Sequence, residues 1–249
     1  MDWFSSLRAR VDAAFEATGR DHEPWPDPHP DRAPLDDEYS RVTDPAKWRI
    51  IGTRADAWID ALTAAGLADV VRDGEPRWSE AIRTDVHRAD IVVPRRDGAL
   101  PLVLARSRID GVDDAGVTIG VGDPAVVAWW IPDCGCDACD SGSHAVLEEL
   151  DGWVGGVVRG EFRRLERRVE RVPTPAGFRW GVPGTGRGEA PPSTLELDAT
   201  WALPEREVIT VISVGSWSAS GSFARGEVEA ALADPAGWTE LSGAAWSDG

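Results

Sequence analysis

ADIVVPRRDGALPLVLARSR, residues 89–108, decides the fold. Two apolar runs flank the dipeptide Asp97-Gly98, which suits a tight hairpin, so the stretch predicts two antiparallel strands. Downstream, GVTIGVGDP (116–124) and AVVAWWIP (125–132) read as two more strands joined by a turn at Asp123-Pro124. EFRRLERRVERV (161–172) and GFRWGVP (177–183) suggest a further hairpin around Pro173 to Gly177, and STLELDAT (193–200) and EREVITVISVGSW (205–217) resume strands. The last is rich in β-branched residues.

Helices stand before, within and after these strands rather than alternating with them. Trp3, Leu7, Val11 and Phe15 fall four apart, one stripe of an amphipathic helix over 2–18. Asp44-Pro45 is a start signal for a second helix, whose core face is Trp58, Ile59, Leu62 and Ala65 and which Gly66 ends. A third runs from about Ser143 to Val158, with Val146, Leu147, Leu150, Val154 and Val157 inward and Glu148, Glu149 and Asp151 toward water. A short one covers about 226–233. Local hairpins therefore predict an α+β fold, a mostly antiparallel sheet with packed helices, in a single domain. Its expected parts are an N-terminal helix (1–18), a Pro-rich surface arm (19–45) and one α+β domain (46–249). The arm carries six prolines. It is expected to lie extended over the surface, pinned by Trp25 and Tyr39.

The totals exclude more than they assign. A net charge of −17 opposes binding to nucleic acid or to an anionic membrane surface. No apolar run has the length of a membrane helix, and the first residues do not read as a signal peptide, so a cytoplasmic protein is expected. Most of the 13 tryptophans read as core anchors, with the remainder available to line a binding surface. No reaction centre is recognisable. GVPGTGRGEAPP (181–192) lacks the Lys-Ser/Thr of a phosphate loop, and GSWSASG (215–221) lacks the G-x-S-x-G order.

All chemistry with a spacing signature sits in PDCGCDACDSGSH, residues 132–144. Cys136 and Cys139 form a C-x-x-C knuckle, Gly135 lets the backbone turn so that Cys134 can join them, and His144 follows five residues later. Cys134, Cys136, Cys139 and His144 would make a Cys3His zinc site of structural type. Asp140, or His22, His29 or His87 from elsewhere, could replace His144. Asp133, Asp137 and Asp140 crowd the thiols and favour a cation there. The rival is a thiol-dependent redox protein using the C-x-x-C at 136–139, since a strand feeds it and a helix follows; the third reading is a thiol-rich turn with no ligand. Acidic and rich in tryptophan, the chain suits a binding protein for a basic protein partner or a small polar ligand.

WPDPHPDR (25–32), EYSRVTDP (38–45), RADAWIDALTAAGLA (54–68), GVGDPAVV (120–127) and PDCGCDACDSGS (132–143) together resemble an actinobacterial family known as a domain of unknown function. The resemblance brings no activity or catalytic residues. It implies a bacterial, cytosolic protein whose cysteine loop belongs to the family's defining pattern.

Overall fold

A computed structural model describes residues 2–171, 205–214, 216–220 and 225–248. The fold is α+β and its larger sheet is antiparallel throughout. β1 (Ala68–Val71), β2 (Asp85–Pro94), β3 (Leu102–Ile109), β4 (Val112–Val121) and β5 (Val126–Ile131) pair in sequence order. An isolated parallel bridge, Trp78 to Ala125, lies outside these strands. The central strands are buried almost end to end, as Leu102, Val103, Leu104 and Ala105 on β3 show.

The deciding stretch forms the expected β2–β3 pair, with Val92 opposite Leu102. Its turn is wider than Asp97-Gly98 alone predicts. β2 continues to Pro94 because it also pairs with β1, Ala68 opposite Pro94. The chain then needs seven residues to return, and Gly98 takes the left-handed conformation (φ +79°) within that loop. The strand β1 itself escaped sequence reading. It is four residues long, half of them exposed, and only its partner defines it.

α1 (Trp3–Thr18) opens on Asp2, whose side chain accepts from the Ser5 amide at 2.8 Å, and buries Leu7 and Val11. α2 (Arg49–Ala64) follows a 3-10 turn at Pro45–Trp48; Asp44 gives it no side-chain cap. α2 lays Ile51, Ala55, Trp58, Ile59 and Leu62 on the core. α3 (Gly142–Val158) buries Val146, Leu150, Val154 and Val157 in the same core. Asp151, expected in water, is instead nearly buried. Arg54 donates to both its oxygens (3.0 and 2.8 Å), Arg8 lies 2.8 Å away, and the Trp58 indole donates at 2.6 Å. One carboxylate thus ties the three helices together, and two arginines and an indole offset its desolvation.

The chain clusters into two compact units, each taken by itself. One holds 1–164, 212–218 and 241–249, and so contains the five-stranded sheet, α1, α2 and α3; the other holds 165–211 and 219–240. The remaining strands are β6 (Arg163–Arg171), β7 (Glu205–Val214), β8 (Ser216–Ser220) and β9 (Thr239–Ser242), with α4 (Arg225–Ala233) between β8 and β9. The hairpin expected around Pro173 to Gly177, GFRWGVP, the glycine-rich 181–192 stretch and the strand STLELDAT lie outside the described residues. No helix among the described residues is long and apolar enough to cross a membrane.

Candidate metal centre

The cysteine loop leaves the sheet where β5 ends at Ile131 and enters α3 at Gly142. Cys134 is exposed, and Gly135 reverses the chain at φ +75°. A Cβ at Gly135 would stand 2.9 Å from Ile109 Cγ2, so glycine is required here by contact as well as by conformation. Cys136 is buried and extended, and it starts a 3-10 turn over Asp137–Cys139 in which the Cys139 amide donates to the Cys136 carbonyl at 3.1 Å. The Cys136 amide points at Cys134 Sγ (3.5 Å). These local constraints bring the sulfurs together. Cys134 Sγ and Cys136 Sγ are 3.1 Å apart, and all three sulfurs lie within 4.8 Å of one another. Tetrahedral Zn–S bonds of about 2.3 Å require sulfurs about 3.8 Å apart, so the cluster spans the right range.

Burial raises the Cys136 thiol, but hydrogen bonds from the Cys134 and Cys139 thiols and the Cys139 and Ala138 amides outweigh it, and its pKa falls below the ordinary value. Cys139 is pushed up to about 12, first by its hydrogen bond to Cys134 and then by burial and Cys136. Burial also raises Cys134. Without a cation, the thiols thus differ in acidity, Cys136 being the most acidic of the three. A dication on the cluster would favour the thiolate form of all three.

His144 stands outside the sulfur group. Its side chain is 85 % exposed on the first turn of α3, with Nδ1 3.4 Å from Glu148. The other expected donors are engaged elsewhere: His22 Nε2 with Thr53 Oγ1 (2.8 Å), His29 Nε2 near Glu38 (3.3 Å), His87 Nε2 near Asp114 (3.1 Å).

The aspartates correct the sequence reading. Asp137 and Asp140 turn away from the thiols and hold the arm. Asp137 accepts from Arg41 Nε (2.6 Å), the Thr43 amide (2.8 Å) and Thr43 Oγ1 (2.5 Å), while its own amide donates to the Arg41 carbonyl. Asp140, nearly fully buried, accepts from Trp25 Nε1 (2.9 and 3.1 Å), Lys47 Nζ (2.6 Å) and the Gly142 amide (2.9 Å). The chain's only lysine is therefore spent here, its ammonium 5.4 Å from the Trp25 ring and 5.2 Å from that of Trp48. Gly142 (φ +84°) lets the arm pass so closely that a Cβ would meet the Asp27 amide nitrogen at 2.6 Å. Trp25 anchors the arm as expected; Tyr39 does not, being 58 % exposed.

Within the arm, Glu38 gathers Arg32 (2.8 and 2.9 Å), the Leu35 amide (2.6 Å) and His29. Arg32 above all, then the amide, holds its pKa well below the ordinary 4.5. A depressed folded pKa contributes stability that is complete above the unfolded value and is lost as pH falls through the folded one. Limited proteolysis will therefore cut the 19–48 segment faster as pH drops from neutrality to about 3, and Glu38→Gln will flatten that dependence. Equal cutting at both pH values in the wild type would refute this.

Sequence reasoning missed one further group. Trp129, Trp130 and Trp153 stack beside Glu149 and Asp133 at the outer edge of the sheet. The Trp-Trp pair in AVVAWWIP and the four-residue spacing of Glu149 and Trp153 on a helix were the available signals.

No curated protein and no solved structure matches the chain. A family model does match, over residues 11–237, and so covers the second half of α1, the arm, α2, the whole five-stranded sheet, the cysteine loop and α3. The chain belongs to DUF6226, a family of unknown function.

Proposed function

We propose that the cysteine loop is a structural zinc site in a binding protein. The observation that carries it is the convergence of Cys134, Cys136 and Cys139 sulfurs within 4.8 Å. The ligand set is these three thiolates plus His144. His144 is exposed on the first turn of α3, and ligation would take it from its surface contact with Glu148. The bound metal locks the corner from which Asp137 and Asp140 grip the arm. The protein works in the cytosol, where thiols stay reduced, and its acidic surface takes a basic protein or a small polar ligand. A second reading, a thiol-dependent redox protein using Cys136 and Cys139, is favoured by the lowered pKa of Cys136. Against it, the C-x-x-C lies on a separate 3-10 turn ahead of α3 rather than on the helix's first turn.

Metal analysis with thiol titration separates them. One equivalent of zinc, with thiols masked until a chelator is added, is the expected result. Metal-free protein with one hyper-reactive cysteine would replace the first reading by the second. Metal-free protein with three ordinary thiols would overturn both.

A further inference from the structure

The 3-10 turn that carries Cys139 also carries Asp137, and Asp140 follows it directly. Those two carboxylates are where the arm is held: Asp137 by Arg41 and Thr43, Asp140 by Trp25 and Lys47. The arm is tied to the start of α3 as well, since the Ser143 amide donates to the Trp25 carbonyl at 3.0 Å. Trp25 in turn packs edge-on against the buried Trp48, with ring centroids 5.5 Å apart and planes at 88°. What fixes the turn therefore bears on the arm and on the cover it gives Trp48.

The three sulfurs differ in access and in spacing. Cys134 and Cys139 are exposed, and Cys136 is buried. Gly135 turns the chain so that Cys134 Sγ and Cys136 Sγ stand 3.1 Å apart. An oxidant arriving from solvent can reach Cys134, and the sulfur held directly behind it is Cys136. Two sulfurs in contact, one of them at the surface, are arranged as an attacked thiol and a resolving thiol.

We infer that the loop is a peroxide-sensitive release for the arm, in which Cys134 and Cys136 join as a disulfide and the metal leaves; this rests on the zinc reading above. The Cys134 thiolate attacks one oxygen of the peroxide, the O–O bond breaks, and Cys134 becomes a sulfenic acid while hydroxide departs. The Cys136 thiolate then attacks the Cys134 sulfur, the S–O bond breaks, and a second hydroxide departs. Both hydroxides take protons from solvent. The two thiolates lose two electrons, and the peroxide is reduced to two waters. The bridge removes two of the four zinc ligands. Cys139 and His144 are too few for a structural shell, so the ion is released. The bridged pair lies ahead of the turn, and the Cys139 end, next to Asp140, loses its tie.

The test treats the zinc-loaded full chain with hydrogen peroxide and follows zinc with a colorimetric chelator. Free thiols are then alkylated and the loop peptide is sequenced by tandem mass spectrometry without reduction. Expected are one equivalent of zinc released, Cys134 bridged to Cys136 with Cys139 alkylated, and cutting of 19–48 about fivefold faster. Dithiothreitol with added zinc should reverse all three, and Cys134→Ser should lose the peroxide-dependent rise in cutting. Protein that holds no zinc before peroxide removes the zinc reading and this inference together. Zinc-loaded protein that keeps its metal in peroxide, forms a bridge to Cys139, or gives up zinc with no change in the cutting of the arm overturns the inference alone.

Discussion

Cys136→Ser will abolish metal retention and lower the melting temperature by roughly 10 °C, the largest loss of any single change in the loop. Cys136 is the buried member of the three, and its sulfur receives both neighbouring thiols and two backbone amides. A serine oxygen there is too short and too hard a donor to hold the same position in a soft-ligand shell. The loss spreads beyond the loop. The 3-10 turn over Asp137–Cys139 sets where Asp137 meets Arg41 and Thr43, and the residue after it is Asp140, which holds Trp25 and Lys47. If zinc holds the turn as proposed, its loss relaxes the turn and loosens the arm, so faster proteolysis of 19–48 should accompany the thermal loss. His144→Ala should be milder, because a water can fill one position of a four-ligand shell. Atomic emission analysis and thermal melts of both variants check this. A Cys136→Ser protein that keeps zinc and its melting temperature would refute the metal reading of the loop.

The hairpins were legible because their information is local: apolar runs broken by turn dipeptides, with β2 and β3, and β4 and β5, adjacent in sequence and in the sheet. The cysteine spacing was legible for the same reason. What the loop holds was not. Trp25 and Asp140 are 115 residues apart, and Thr43 and Asp137 are 94 apart, so no window of sequence contains both partners. Local reading therefore set Asp137 and Asp140 around the thiols, and the rule that carboxylates face water misplaced Asp151. Each is buried or nearly so, and each has arginine, lysine, indole or amide donors around it that only the tertiary fold supplies. β1 shows the complementary case: a short edge strand with little pattern of its own becomes a strand because β2 offers it a ladder.

A second large effect lies far from the cysteines. Arg106, in the middle of β3, has no exposed surface, and Asp90 on β2 is 1 % exposed. Arg106 Nη2 donates to Asp56 of α2 at 2.7 Å and lies 3.8 Å from Asp90, while Nη1 donates to the Leu104 carbonyl at 3.1 Å. Gly52 on α2 makes the crossing possible, since a Cβ there would stand 3.2 Å from the Asp114 carbonyl and 3.6 Å from Arg106 Nε. Burial pulls the Arg106 pKa down, but Asp56 and Asp90 oppose that, and a guanidinium keeps its charge in any case. Arg106→Met preserves apolar bulk and removes the charge. Asp90 then keeps the hydrogen bond from Arg72 (3.1 Å) and the more distant Arg88 (3.7 Å), both partly in water, but loses the one fully buried cation beside it, and Asp56 loses its 2.7 Å partner. The expected cost is about 3–5 kcal/mol in denaturant unfolding. Adding Asp90→Asn should return part of it, because the amide needs no counter-charge and can still accept from the Asp73 amide as Asp90 does at 3.2 Å. A single-variant cost below about 1 kcal/mol would mean that the fold can hydrate or re-pair Asp90, and that Arg106 does not fix α2 on the sheet.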